Sequence, residues 1–507
     1  MVWIICVLVT ARAWAYEEEK TSGEDKAPTL SIESIFEKQE FDAKRYSGRW
    51  ADDSSGYYRI IDSAGTKGGK DIVLIDTGSG GTNIVVAAQD LIPPHESSPL
   101  SIDGYEFSKD RSKLLVFTNS KRVWRGNDRG DYWVLNRTSL QLRKLGGDAP
   151  ASSLGFAKIS PDGKYVGYAR ERNLYVEEIE SGQIRQLTAS GGADIINGSF
   201  DWVYEEEFEM RDGWRWSPDS RAIAYWQIDT SGVRKYPLID NVSGLYPEIQ
   251  WIAYPKTGEV NSSARVGVVK IAGSNTTWFP VAGDPRNHYI HSLEWPEKAR
   301  GVVIQQLNRL QNTNKFIFGD PVTGEVRGLF EEADAAWVDV RARNRWAGEG
   351  ERFPWLSERD GWQRLYSVDA ENGKWKKLFD ESIDVVSLVE YIKGTGDIYF
   401  MASPENATQS YLYRTSIKGH APKRITPADQ QGTHTYEVSP DGKWAIHSWS
   451  SFDVPPVVDL VSLPDHKVVR TLEDNRKLKE KLAKLELPSV EFFKTPIEPG
   501  IEVDGYC

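Results

Sequence analysis

The chain has 507 residues, 39% hydrophobic and 27% charged, the composition of a soluble globular protein long enough for about three average domains. Its formal net charge of −12 argues against a nucleic-acid partner, which would need a basic surface, and is compatible with cationic ligands. The 19 Trp and 22 Tyr favour strands and stacked sheets.

The chain opens on an apolar run, Val2 to Thr10, too short to span a bilayer. Ala13-Trp14-Ala15 then supplies the small-x-small pattern of a signal-peptidase site, so residues 1–15 are expected to be a signal peptide, although a basic leading segment is missing. An uncleaved anchor is the alternative, and no later segment is long enough to cross a membrane. The only cysteines are Cys6 and Cys507, so a chain cleaved after Ala15 has no internal disulfide. That points to a periplasm more than to a eukaryotic cell surface. Six N-x-S/T sequons, at Asn136, Asn197, Asn241, Asn261, Asn275 and Asn406, would matter in a eukaryotic secretory pathway. The expected location is therefore exported, periplasmic or secreted.

Residues 16–45 read as a polar N-terminal extension with a short helical pattern over 32–41. One phrase then recurs: "ISPDGKYVGYARERNLYV" from Ile159, "WSPDSRAIAYWQID" from Trp216 and "VSPDGKWAIHSWSS" from Val438. Weaker relatives begin at Phe107, Glu294, Glu349 and Gly394, and residues 56–76 offer an eighth. Each pairs a Pro, Asp or Gly turn with an alternating or β-branched strand. Spacings of roughly 45 to 80 residues suit propeller blades with insertions. An all-β fold is expected, an eight-bladed β-propeller over 46–490; unrelated β-sandwiches sharing turns are the alternative. Near the end, Leu478, Leu482 and Leu485 predict an amphipathic helix capped by Asp474 and stopped by Pro488. Residues 491–507 read as a hairpin.

No serine lies in a G-x-S-x-G elbow, and no H-E-x-x-H, phosphate loop or dinucleotide fingerprint occurs. No metal site or cofactor is predicted. His288 and His291 are too isolated to argue for a metal, and "DTGSGGTN" (76–83) reads as a turn. The remaining candidate is Glu205-Glu206-Glu207. Adjacent carboxylates repel unless a cation sits nearby. On a helical turn Glu206 and Glu207 would diverge by only about 100° and could share one ammonium. From the residues alone, a solvated acidic surface is the favoured reading, being the usual fate of a charge run.

"LTASGGADIINGSFDWVYEEEF" (187–208) resembles dipeptidyl peptidase IV and its bacterial relatives in the prolyl-oligopeptidase family of serine peptidases. Further matches are "WRWSPDSRAIAYWQID" (214–229), "YPKTGEVN" (254–261), "QQLNRLQN" (305–312), "LSERDGW" (356–362) and the terminal "VEFFKT…EVDGY". The resemblance implies an eight-bladed propeller covering an α/β-hydrolase domain that removes N-terminal dipeptides with Pro or Ala second. It assigns Glu206 and Glu207 to the α-ammonium of the substrate. It offers Arg125, in "KRVWRGNDRGDYWVLN" (121–136), for a substrate peptide carbonyl, an ordinary surface ion pair being the alternative. The family's Ser-Asp-His triad follows the propeller, so residues 491–507 are expected to be the stub of the hydrolase domain. The chain alone is then expected to select peptides without cutting them, its hydrolase half absent or separately encoded. A stand-alone secreted propeller that binds peptides or proteins is the alternative. A dimer is a further expectation, weakened because the family dimerises partly through its hydrolase domain.

Overall fold

The computed structural model describes residues 30–273, 275–296, 301–340 and 352–507. The leader expected over 1–15 lies outside them. Of the described residues 47% are strand and 5% helix. Two compact units separate. Among the described residues, one comprises 45–452 and 457–473, and the other gathers 30–44 with 453–456 and 474–507.

The larger unit is a β-propeller. Apart from the hairpin that pairs Lys235–Asp240 with Glu248–Ala253, its described strands fall into eight successive antiparallel groups, which begin at Arg49, Gly104, Leu154, Ile195, His288, Arg352, Val385 and Thr433. The second and third are joined by pairing of Arg129 and Gly130 with Gly155 and Leu154. Strand alternation builds the core, because neighbouring residues point to opposite faces. Leu114 packs into a cluster with Tyr58 and Ile72 of the first group, while Leu115 packs with Val166 and Tyr168 of the third. Likewise Ala222 faces Ile290 and Ile304 of the fifth group, and Ile223 faces Leu174 and Val176 of the third. Separate clusters fill each remaining junction, and the last joins Tyr57 of the first group to Ile446 and Val458 of the eighth.

The recurring Ser-Pro-Asp phrase has a common geometry. In "SPDG" the Ser160 hydroxyl donates to Asp162 at 2.7 Å and accepts the Tyr165 amide at 2.9 Å. Ser217 repeats this with Asp219 and the Ala222 amide, and Ser439 with Asp441 and the Trp444 amide. Ser108, in the phrase lacking proline, does the same with Asp110 and Lys113. The turn needs a left-handed residue, supplied by Gly163 and Gly442 at φ 71° and 70°. In the fourth group that residue is Ser220, whose hydroxyl accepts the Asp162 amide of the third at 2.9 Å. Ser54 accepts the Asp441 amide at 3.0 Å in the same way, tying the first group to the eighth. The contact that ties the third group to the fourth thus also ties the eighth to the first.

The smaller unit holds a helical turn at Glu33–Glu37, a helix at Arg476–Leu482 and a hairpin pairing Phe492–Glu498 with Ile501–Tyr506. The helix is shorter than Leu485 and Pro488 suggest, and Asn475 rather than Asp474 occupies its capping position. Asn475 is left-handed, and its amide group bonds the Lys44 backbone and the Pro456 carbonyl instead of the helix. Asp474 still accepts the Arg476 amide at 3.0 Å.

Among the described residues, no helix is long and apolar enough to cross a membrane. Asn197 and Asn261 are buried, which closes two of the six sequons to a glycan in the folded protein.

Candidate functional site

The acidic triplet lies on a seven-residue helix, Trp202–Phe208, inserted between two strands that both pair with Ala222–Asp229. Asp201 starts it: one carboxylate oxygen accepts the Tyr204 amide at 3.3 Å and the other the Ser262 hydroxyl at 2.5 Å. Burial pushes the Asp201 carboxyl above the usual range, and these donors act against that shift. Glu209 ends the helix in the left-handed region, with its amide on the Glu205 carbonyl and the Met210 amide on that of Tyr204.

So short a helix depends on tertiary anchoring. Tyr204 supplies it: its ring stacks on Phe200, and its hydroxyl accepts the Ile290 amide at 3.0 Å. Ile290 adjoins a bulge in the fifth group, and the Trp226 indole donates to its carbonyl at 2.8 Å. Both backbone polar groups of Ile290 are therefore satisfied by side chains of the neighbouring segment.

The three glutamates have different surroundings. Glu205 points inward and is 7% exposed. It accepts the backbone amide of Arg125 at 3.3 Å and pairs with the Arg211 guanidinium at 3.3 Å. The sequence left Glu205 without a role; it holds the segment that carries Arg125. Glu206 is half-buried and takes the Arg125 guanidinium as a two-pronged fork, at 2.8 and 2.7 Å. That pairing holds its carboxyl below the usual carboxylate range. Glu207 is exposed and accepts the Gln311 amide group at 2.5 Å. Gln311, buried with φ 55°, lies beyond the Val302–Asn308 strand in "QQLNRLQN".

Arg125 sits at the tip of the long hairpin Lys113–Val123 and Gly126–Asn136, after a left-handed Trp124. The helix thus brings together Arg125 from the second group and Gln311 from the fifth, across sequence separations of 81 and 104. Both outer carboxylates keep solvent access and unused lone pairs, so a primary ammonium with three donors could bond them without displacing Gln311. Gln311 carried no chemical signal in sequence; its place in a matched phrase was the only pointer.

His288 and His291 are buried in the fifth group. His288 bonds Gln306 at 2.8 Å and His291 bonds Asn314 at 3.0 Å, and burial lowers the pKa of His291 to about 4. Among the described residues, no group of three or more His, Cys, Asp or Glu side chains is placed to hold a metal ion.

Residues 108–456 match the family model described as the dipeptidyl peptidase IV N-terminal region. Dipeptidyl peptidase 4 of Trichophyton rubrum is 27% identical over 431 residues, covering 82% of this chain and 55% of that protein. A probable dipeptidyl-aminopeptidase B of Podospora anserina is 26% identical over 78% of this chain and 46% of its own length. The chain thus spans about half the length of the curated relatives it matches. Among solved structures, Porphyromonas gingivalis dipeptidyl peptidase 4 superposes with a TM-score of 0.85 at 24% identity, over 94% of this chain and 66% of that one. The hairpin-tip arginine and the D-W-V-Y-E-E-E helix both fall inside the matched region, and the chain belongs to the dipeptidyl peptidase IV N-terminal region family.

Proposed function

We propose that the surface formed by Glu206, Glu207 and Arg125 binds the N-terminal end of a peptide, as the substrate-recognition part of a dipeptidyl peptidase IV-like serine exopeptidase. Glu206 and Glu207 would receive the α-ammonium, and Arg125 would face a backbone carbonyl of the peptide. The preferred peptides would carry Pro or Ala second. One observation carries the reading: adjacent carboxylates on one helix, with an arginine forked onto the first.

The charge balance supports it. Two carboxylates and one guanidinium leave one negative charge uncompensated, which one ammonium would neutralise. At 4 Å and an effective dielectric near 20, each contact would be worth about 4 kcal/mol before desolvation is subtracted. Selection and orientation of a peptide end require no nucleophile on this surface.

Glu206→Gln with Glu207→Gln keeps side-chain size and removes both charges. Calorimetry with Ala-Pro-Ala should show its affinity falling at least tenfold in this variant, with the fold unchanged by circular dichroism. Undiminished binding would remove the two glutamates from the site.

A further inference from the structure

We propose that Glu205 is a positioning residue for this site, acting through Arg125; the inference rests on the recognition reading above. Two structural elements must meet for Arg125 to reach Glu206. One is the helix, whose first turn Asp201 and Tyr204 hold in place. The other is the hairpin tip, whose pairing is irregular between Thr118 and Val123. The tip also turns through Trp124 at φ 52°, a conformation that costs a non-glycine residue free energy and persists only when its surroundings hold it.

The buried glutamate is placed to do that. Its carboxylate accepts the Arg125 amide at 3.3 Å, which fixes the backbone one residue after the left-handed turn. It also pairs with Arg211 at 3.3 Å, and Arg211 extends to Asp128 at 3.7 Å, on the descending side of the same tip. Arg122 braces the turn from the other side, donating to the Trp124 carbonyl at 2.9 Å. The tip is therefore held at Arg125 and at Asp128 by one charge cluster anchored on the helix.

The arginine needs such support because its side chain is 67% exposed. An exposed side chain on a mobile loop loses rotamer and backbone freedom when it binds, and fixing the backbone in advance removes the second loss. A bidentate fork is also sensitive to placement. The three successive glutamates thus divide their work: Glu205 sets Arg125, while Glu206 and Glu207 face the ligand.

The test is a double-mutant cycle on the full chain, with Ala-Pro-Ala and its N-acetyl derivative as calorimetric probes. Glu205→Ala should weaken binding of the free peptide about tenfold, Arg125→Ala by a similar factor, and the double variant by little more than either. Glu205→Gln should recover part of the loss, since its amide oxygen can accept the Arg125 amide but cannot pair with Arg211. Hydrogen exchange over residues 121–130 should quicken in Glu205→Ala. Additive losses, or wild-type affinity and exchange in Glu205→Ala, would overturn the positioning role while leaving the recognition reading intact. Equal wild-type binding of free and acetylated peptide would overturn the recognition reading and the inference with it. If Glu205→Ala fails to fold, Glu205→Gln decides alone: wild-type exchange at 121–130 together with wild-type affinity counts against the inference, and faster exchange with weaker binding supports it.

Discussion

At the scale of single residues, the proposed site rests on buried side chains that hold the acidic helix. Asp201→Ala removes the helix cap and leaves Ser262 without its acceptor. A loss of about 1–2 kcal/mol in urea unfolding is expected. Tyr204→Phe leaves the buried Ile290 amide unpaired, at about 1–3 kcal/mol, with weaker peptide binding as the helix loosens. Both variants should unfold at lower urea, and an unchanged midpoint for Tyr204→Phe would show that the amide finds another partner. The sequence singled out the outer glutamates through the distinctive string D-W-V-Y-E-E-E and Arg125 through the separate phrase at 121–136, and the structure brings Arg125 onto Glu206. Glu205 was not singled out, because nothing in three identical residues says which one points inward. That is decided by the helix phase and by Arg211, six residues on, reaching back to Glu205.

At the scale of elements, the eighth group contains a histidine cluster that the sequence did not suggest. His434, His447 and His466 lie far enough apart in sequence to read as unrelated, yet strand register places His447 beside His434 and Tyr436. The His434 and His447 rings lie nearly parallel with centroids 5.1 Å apart, and His434 Nδ1 is 2.8 Å from His447 Nε2. Because His434 Nε2 faces the Gln430 carbonyl it must carry the proton, so Nδ1 accepts from His447. His447 Nδ1 is then a buried nitrogen without a hydrogen-bond partner. Burial lowers all three pKa values, that of His434 to about 4. The folded state resists protons that the unfolded chain takes up near 6.5, so their full contribution to stability is present above that pH and is lost as pH falls toward 4. His434 alone should give a slope of about 1.4 kcal/mol per pH unit in that window. Urea midpoints should drop between pH 6.5 and 4.5, and by less in His447→Gln; identical pH profiles would rule the cluster out as the cause. The terminal helix shows the opposite limit, since its leucine spacing was visible but its end was not. The Asn475 side chain serves the backbone at Lys44 and Pro456, a tertiary demand that periodicity does not encode.

At the scale of the whole molecule, the propeller was legible because the repeated turn carries its chemistry in sequence. Ser, Asp and a left-handed residue recur at fixed offsets, and the strand after each alternates. Ring closure was not legible, since it depends on Ser54, outside any such phrase, and on Tyr57, in the 56–76 unit, where nothing in the sequence marks a contact with the eighth group. Tyr57 is fully buried against Ile446 and Val458, and Tyr57→Ala should cost about 3–5 kcal/mol. A loss below about 1 kcal/mol in denaturant unfolding would mean that the first and eighth groups are not held by this cluster. The proposed recognition site depends at this scale on the closed ring, which carries the second, fourth and fifth groups whose tip bearing Arg125, acidic helix and Gln311 meet. The most direct measurement compares calorimetric binding of Ala-Pro-Ala with that of its N-acetyl derivative to the full chain. Capture of the N-terminal ammonium predicts binding of the free peptide and at least a tenfold loss on acetylation; equal affinities for the two would contradict it.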